Sequence, residues 1–220
     1  MPQKTKILLV DDHPLVREWL ANLINEQPDL EVCGETGDAG HAFHLIGGTA
    51  PAVAIVDLSL EGGSGIELIK SVKAAYPGVA MIVLSMHEEE LYAERALRAG
   101  ARGYIMKREA TKKILQAIRA VLAGQSCVSD GIARRVAAKS RGSAGGGSGI
   151  DELSDRELEI FQLLGRGMNT RQIADHLHIG FKTVQTYNAR IKEKLQLDNA
   201  TQLLHEAIRL ADGPKTPRMN

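Results

Sequence analysis

Apolar positions along the first 125 residues follow two alternating rhythms. Short runs rich in apolar and β-branched residues occur at KILLV (6–10), LEVCGE (30–35), AVAIVD (52–57), VAMIVLS (79–85) and RGYIM (102–106). Runs of this length read as strands. Between them the apolar spacing is helical, as in PLVREWLANLINE (14–26), where Leu15, Trp19, Leu20, Leu23 and Ile24 recur every three to four residues. Helices are likewise predicted over 41–48, 65–76, 89–101 and 110–124, closed by glycines or by Pro77. Strand–helix alternation five times over predicts an α/β fold: a doubly wound, five-stranded parallel sheet (flavodoxin-like) covered on both faces.

From Ile150 the pattern is helical throughout. Ser154 with Glu157, and Asn169 with Gln172, have the spacing of capping boxes. A tight turn, HIG, separates the helix after Asn169 from one over 181–195, and a last helix is predicted over 199–211. Short helices joined by a tight turn predict a small all-α helix-turn-helix domain. SRGSAGGGSG (140–149) has flexible-linker composition. The predicted organisation is a first domain over 1–125, a linker over 126–149, a helical domain over 150–212 and a disordered tail over 213–220.

Composition narrows the class. Formal net charge is zero, and residues 150–220 carry 10 Lys+Arg against 10 Asp+Glu. Whole-chain charge therefore gives no argument for nucleic acid. Two cysteines, Cys33 and Cys127, are too few for a disulfide framework and lack metal-ligand spacing. His176 and His178 lie two apart and point different ways. No stretch of about 18 apolar residues is present, and MPQKTKILLVDDH does not read as a signal peptide. A cytoplasmic protein without membrane association is expected.

In open parallel sheets ligands bind beyond the carboxyl ends of the strands. The first strand ends in Asp11 and Asp12, the third in Asp57 and the fourth in Ser85, and Lys107 follows the fifth. Any one of these has an ordinary reading: a turn cap, a surface lysine, a helix N-cap. Together they place three carboxylates, a hydroxyl and an ammonium on one edge. Clustered carboxylates call for a cation, and oxygen ligands favour Mg2+. An ionised Asp57 beside Mg2+ and Lys107 can act as a nucleophile in phosphoryl transfer. Gly62, Gly63 and Gly65 form no dinucleotide loop and read as a flexible turn.

VDDH, the strand ending in Asp57, Ser85 and the YIMK segment resemble the receiver domain of bacterial two-component response regulators, across residues 5–124. The resemblance implies that Asp57 accepts phosphate from a sensor histidine kinase. It implies Asp11, Asp12, Asp57 and the Ser59 backbone carbonyl as Mg2+ ligands, and Lys107, Ser85 and Tyr104 as the phosphate-binding and switch residues. Arg108 departs from the Pro or Asp common after the lysine.

LSDRELEIFQLLGRGMNTRQIADHLHIGFKTVQTYNARIKEKLQL resembles the LuxR-type (NarL/FixJ) DNA-binding domain. Ile173, Leu177, Val184, Ile191 and Leu195 supply an apolar seam, and Gly180 can cap the third helix. The resemblance implies Gln185, Thr186 and Ala189 at the major groove, with Lys182, Thr183 and Lys192 on phosphates. Tyr187 stands where His is usual, and Ala189 offers no polar reach. Leu203, Leu204, Ala207 and Ile208 form a stripe for dimerisation or for internal packing.

The expected function is a response regulator, not an enzyme, that controls transcription by binding DNA and pairs as a homodimer when phosphorylated. One rival is a haloacid-dehalogenase-like phosphatase, which needs a second carboxylate two residues after the nucleophile; position 59 is Ser. Another is a DNA-binding regulator that works without phosphorylation.

Overall fold

The computed structural model describes residues 3–60, 63–87, 89–129, 131–134, 136 and 149–211. The chain divides into two compact units, 1–143 and 144–220. Gly62, nine residues of the predicted linker stretch (140–148) and the predicted tail (213–220) lie outside the described residues.

The first unit is an α/β sandwich. Its strands are β1 (Thr5–Val10), β2 (Leu30–Thr36), β3 (Val53–Val56), β4 (Ala80–Ser85) and β5 (Gly103–Met106), all parallel in the order β2-β1-β3-β4-β5. Its helices are α1 (Pro14–Asn25), α2 (Ala39–Thr49), α3 (Gly65–Ala75), α4 (Glu89–Ala99) and α5 (Ala110–Leu122). Every residue of β3, β4 and β5 is buried, as a sheet covered on both faces requires. Ile7, Leu9, Ile55, Ile82 and Ile105 pack with Leu20 and Ile24 of α1 and Ile114 and Ile118 of α5.

Predicted and observed boundaries differ where side chains hydrogen-bond the backbone. α2 begins two residues before the predicted start because Asp38 caps it, its carboxylate accepting from the His41 N–H at 2.6 Å. A two-residue antiparallel hairpin, Ser59–Leu60 with Gly63–Ser64, follows β3 and has no counterpart in the predicted elements. At the open edge of β5, Cys127 adds a bridge: the Tyr104 N–H donates to the Cys127 carbonyl at 2.9 Å, and the Cys127 N–H to the Arg102 carbonyl at 2.8 Å.

Gly65, at the end of the glycine turn, answers to contact and not to flexibility. Gly65 is the buried first residue of α3, and its N–H donates to the Leu58 carbonyl at 2.9 Å. A β-carbon at Gly65 would stand 2.0 Å from the Asp57 carbonyl oxygen. Glycine is required because two backbone segments touch.

The second unit holds α6 (Asp155–Gly165), α7 (Thr170–His176), α8 (Phe181–Lys194) and α9 (Ala200–Ala211). Both capping boxes form: the Ser154 N–H donates to Glu157 and the Asn169 N–H to Gln172, with reciprocal bonds back. His178, at φ 51°, makes the turn between α7 and α8. Ile173, Ala174, Val184 and Ile191 are buried in the seam, while Leu177 and Leu195 are only half-buried. A β-carbon on Gly165 would lie 2.2 Å from the Ala207 carbonyl, so α6 and α9 pack backbone to backbone there. The α9 stripe divides: Leu203 and Ala207 point into the unit, while Leu204 and Ile208 are exposed.

Candidate functional site

Register brings the chemistry of the first unit together. Val10 pairs with Val56, so Asp11 and Asp57, each the next residue, emerge side by side. Ser85 pairs with Met106, which sets Lys107 just beyond. β1 lies between β2 and β3, so its carboxyl end is the point where successive connections turn to opposite sides. The Asp57 N–H donates to the Val10 carbonyl at 2.8 Å and the Asp11 N–H to the Thr36 carbonyl at 3.0 Å.

Lys107 Nζ stands 2.6 Å from Asp57 Oδ2 and 2.8 Å from Asp11 Oδ2. The other Asp57 oxygen accepts from the Leu58 N–H at 2.6 Å. Asp12 is half-buried beside them, with His13 Nδ1 2.5 Å from its Oδ1. Asp11, Asp12, His13 and Asp57 each bring a ligand atom within 4.8 Å of the others. Oxygens from three carboxylates at this spacing suit a hard divalent cation.

The electrostatics follow from burial. Desolvation pushes the Asp57 carboxyl up to about 6, against the pull of Lys107 and with help from the Asp11 charge. Burial draws the Lys107 ammonium down, but Asp57 and Asp11 outweigh it and hold it above its usual value. At neutral pH the pocket thus carries an ionised Asp57 and a charged Lys107.

Ser85 is fully buried, its Oγ accepting from the His87 N–H at 3.3 Å. Tyr104 is buried and donates its hydroxyl to the His87 carbonyl at 2.9 Å. Ser59, in the hairpin, meets His87 Nε2 through its Oγ at 3.1 Å. His87 therefore joins residues 59, 85 and 104, and its ring stacks on Tyr92 at 4.6 Å. The sequence reading missed it. Only its place two residues after Ser85 could have drawn attention, and nothing in the sequence marks its burial.

In the second unit Lys182, Thr183, Gln185, Thr186 and Ala189 lie along the exposed side of α8, and Lys192 is half-exposed. The Thr186 hydroxyl donates back to the Lys182 carbonyl at 3.0 Å, leaving its methyl as the outward group. Val184 and Ile191 fasten the opposite side.

Comparison with known proteins agrees with this division. Residues 7–119 match the response regulator receiver domain, and residues 151–207 match the bacterial regulatory proteins of the luxR family. The chain is 36% identical to the transcriptional activator protein ExaE of Pseudomonas putida, over 92% of this chain and 95% of that protein. It is 33% identical to the DNA-binding transcriptional activator DevR/DosR of Mycobacterium tuberculosis, over 95% and 99%. Among solved structures, it resembles RcsB from Salmonella enterica serovar Typhimurium bound to promoter P1flhDC in the presence of phosphomimetic BeF3−. That match has a TM-score of 0.62 at 25% identity, over 93% of this chain and 98% of that one.

Proposed function

Because the chain belongs to the response regulators that join a receiver domain to a luxR-family DNA-binding domain, we propose that phosphorylation of Asp57 by a sensor histidine kinase controls its binding to DNA. The observation that carries this reading is the meeting of Asp11, Asp12, Asp57 and Lys107 at the carboxyl ends of β1, β3 and β5.

Asp57 is the phospho-acceptor. One of its oxygens forms a bond to phosphorus as the bond from phosphorus to the donor histidine nitrogen breaks. Leu58 N–H and Lys107 hold the carboxylate in one orientation before transfer. Asp11, Asp12, Asp57 and the Ser59 carbonyl are the residues that would hold Mg2+. When bound, the ion neutralises phosphoryl oxygens that Lys107 alone cannot balance. Lys107 pairs with the phosphoryl group afterwards, and Ser85 donates a hydrogen bond to it. Movement of Ser85 pulls on His87 and so on the Tyr104 hydroxyl, which couples the site to the β4–β5 side of the domain.

The α8 helix enters the major groove. Gln185 pairs with an adenine edge, the Thr186 methyl meets a thymine methyl and Ala189 packs closely, while Lys182, Thr183 and Lys192 hold phosphates. The phosphorylated form is a homodimer on a two-fold site, with exposed Leu204 and Ile208 available to it. Among the described residues no helix is long and apolar enough to cross a membrane, and a cytoplasmic regulator is the reading that fits.

The test is incubation with Mg2+ and a small phosphodonor. Wild type takes up one acid-labile phosphoryl group and Asp57→Asn takes up none, by intact-protein mass. Repeated turnover of the donor would instead favour a phosphatase. A wild type left unmodified would favour a regulator that ignores phosphate.

A further inference from the structure

We propose that residues 126–129 form a strap that closes the open edge of the sheet and is loosened when Asp57 is phosphorylated. The inference rests on reading Asp57 as the phospho-acceptor, and it names the first stretch of chain to respond on the way from one unit to the next.

β5 is the last strand of the sheet, and an uncovered last strand leaves backbone groups unpaired. The chain after α5 covers it. The Tyr104 N–H donates to the Cys127 carbonyl at 2.9 Å, and the Cys127 N–H to the Arg102 carbonyl at 2.8 Å. Gly103 makes room, since a β-carbon there would lie 3.2 Å from the Cys127 carbonyl oxygen. Cys127 packs on the core of the first unit. Farther on, the Ser129 N–H donates to Glu89 Oε1 at 3.0 Å. The Ala133 N–H returns to the Ser129 carbonyl at 3.0 Å, and Ile132 is buried. A stretch that reads as linker in the sequence is thus fastened to both β5 and α4.

Both fastenings lead to His87. Tyr104 holds the strap with its backbone, while its hydroxyl donates to the His87 carbonyl at 2.9 Å. Glu89 opens α4, two residues after His87. The His87 N–H in turn donates to Ser85 Oγ at 3.3 Å. A Ser85 hydroxyl drawn onto a phosphoryl group moves this turn and strains both holds. Pairing with β5 alone would close the edge; the Glu89 bond adds a tie to the helix that begins at the switch. A strap held by so few bonds belongs to the low-stability end from which moving segments are drawn.

The experiment follows amide hydrogen exchange by NMR in the full chain, before and after addition of Mg2+ and excess small phosphodonor. The Tyr104 and Cys127 amides report the strap, and the Ile82 amide of buried β4 reports the sheet. Phosphorylation is expected to speed exchange at both strap amides about tenfold, the shift that loss of a hydrogen bond to a charged group allows, with Ile82 unchanged. Glu89→Ala, which still takes up one phosphoryl group, is expected to show the same rise of about tenfold before the donor is added and little more after it. Strap amides unchanged or slowed in phosphorylated wild type overturn the inference and leave the phospho-acceptor standing. Equal acceleration at Ile82 overturns it too, as the sign of loosening throughout the unit, and so do Glu89→Ala amides that exchange like those of wild type. A wild type that takes up no phosphoryl group, by intact-protein mass, overturns the acceptor reading and this inference together.

Discussion

Asp57 and Gln185 sit in opposite environments. Asp57 and its neighbour Asp11 are 3% exposed, whereas Gln185 and the positions around it on α8 face water. Phosphoryl transfer gains from groups fixed in a dry pocket. A helix that reads a groove needs side chains that reach bases. Buried charge is destabilising unless it is paired and held, so the first unit holds it with backbone: strand register, the Leu58 N–H and the Gly65 contact. The second unit leaves one side of α8 exposed and fastens the helix from behind through Val184 and Ile191. Function and stability are thus intertwined in one unit and separable in the other.

The strongest way to break that contrast is a single methyl group. In Gly65→Ala the new carbon meets the Asp57–Leu58 peptide, which has no flexible end to yield. We expect a loss of about 3 kcal/mol or more and no phosphoryl uptake. Gly165→Ala meets the Ala207 carbonyl and should cost the second unit a similar amount, about 3 kcal/mol. The only tryptophan, Trp19, lies in the first unit and reports its unfolding. Its urea transition should move in Gly65→Ala and stay put in Gly165→Ala. A shift in both would show that the units do not unfold separately.

Paired lysine variants come next. Lys107→Ala strands two buried carboxylates, a loss of roughly 2–4 kcal/mol at neutral pH without added metal. Lys182→Ala on exposed α8 should stay within about 0.5 kcal/mol of wild type. Its effect belongs in binding, with weaker DNA affinity on every sequence and a salt slope smaller by about one. Equal destabilisation by both variants would erase the distinction.

Asp57→Asn sharpens it in the other direction. Burial raises the folded carboxyl from 3.8 to about 6, so between those values the folded state binds the extra proton. The stability this proton contributes is full below about 4 and lost as pH rises through about 6. Removing the charge should therefore stabilise the metal-free protein at pH 7.5 by about 1–2 kcal/mol, below the ceiling of about 3 that the shift allows. The gain should vanish near pH 4. Urea titrations at several pH values measure it, and a variant less stable than wild type at neutral pH would count against a charge held at a cost.

How much of this the sequence showed depended on the range of the cause. Strand ends and their acids were legible because register in a parallel sheet brings carboxyl ends together whatever the details. Capping boxes were legible because Ser154 and Asn169 act on residues three away. Gly65 was misread because its need arises from contact with Asp57, which folding brings against it. His87 was missed for the same reason, since its partner Ser59 is 28 residues distant in the chain. The α9 stripe left two roles open because spacing alone cannot say which side meets a neighbour; burial assigns Leu203 and Ala207 to internal packing and leaves Leu204 and Ile208 exposed.

The last test concerns Glu157, a buried charge of the second unit. Burial pushes the Glu157 carboxyl up, but the Lys194 ammonium at 2.6 Å and the Ser154 hydrogen bonds outweigh it and hold it below the usual range. Stability from this pair is present above about 4.5 and is lost as pH falls through the depressed value. Lys194 is 37% exposed, and the capping box still supports the charge, so Lys194→Ala should cost only about 1 kcal/mol at pH 7. Trp19 belongs to the first unit, so far-UV circular dichroism during urea unfolding is the measurement. The two acids then carry opposite signs. Asp57→Asn gains stability relative to wild type as pH rises from 4 to 7, while Lys194→Ala loses it. If both variants moved the same way, burial alone would rule these carboxylates, and the partners around Glu157 would have no part in setting its charge.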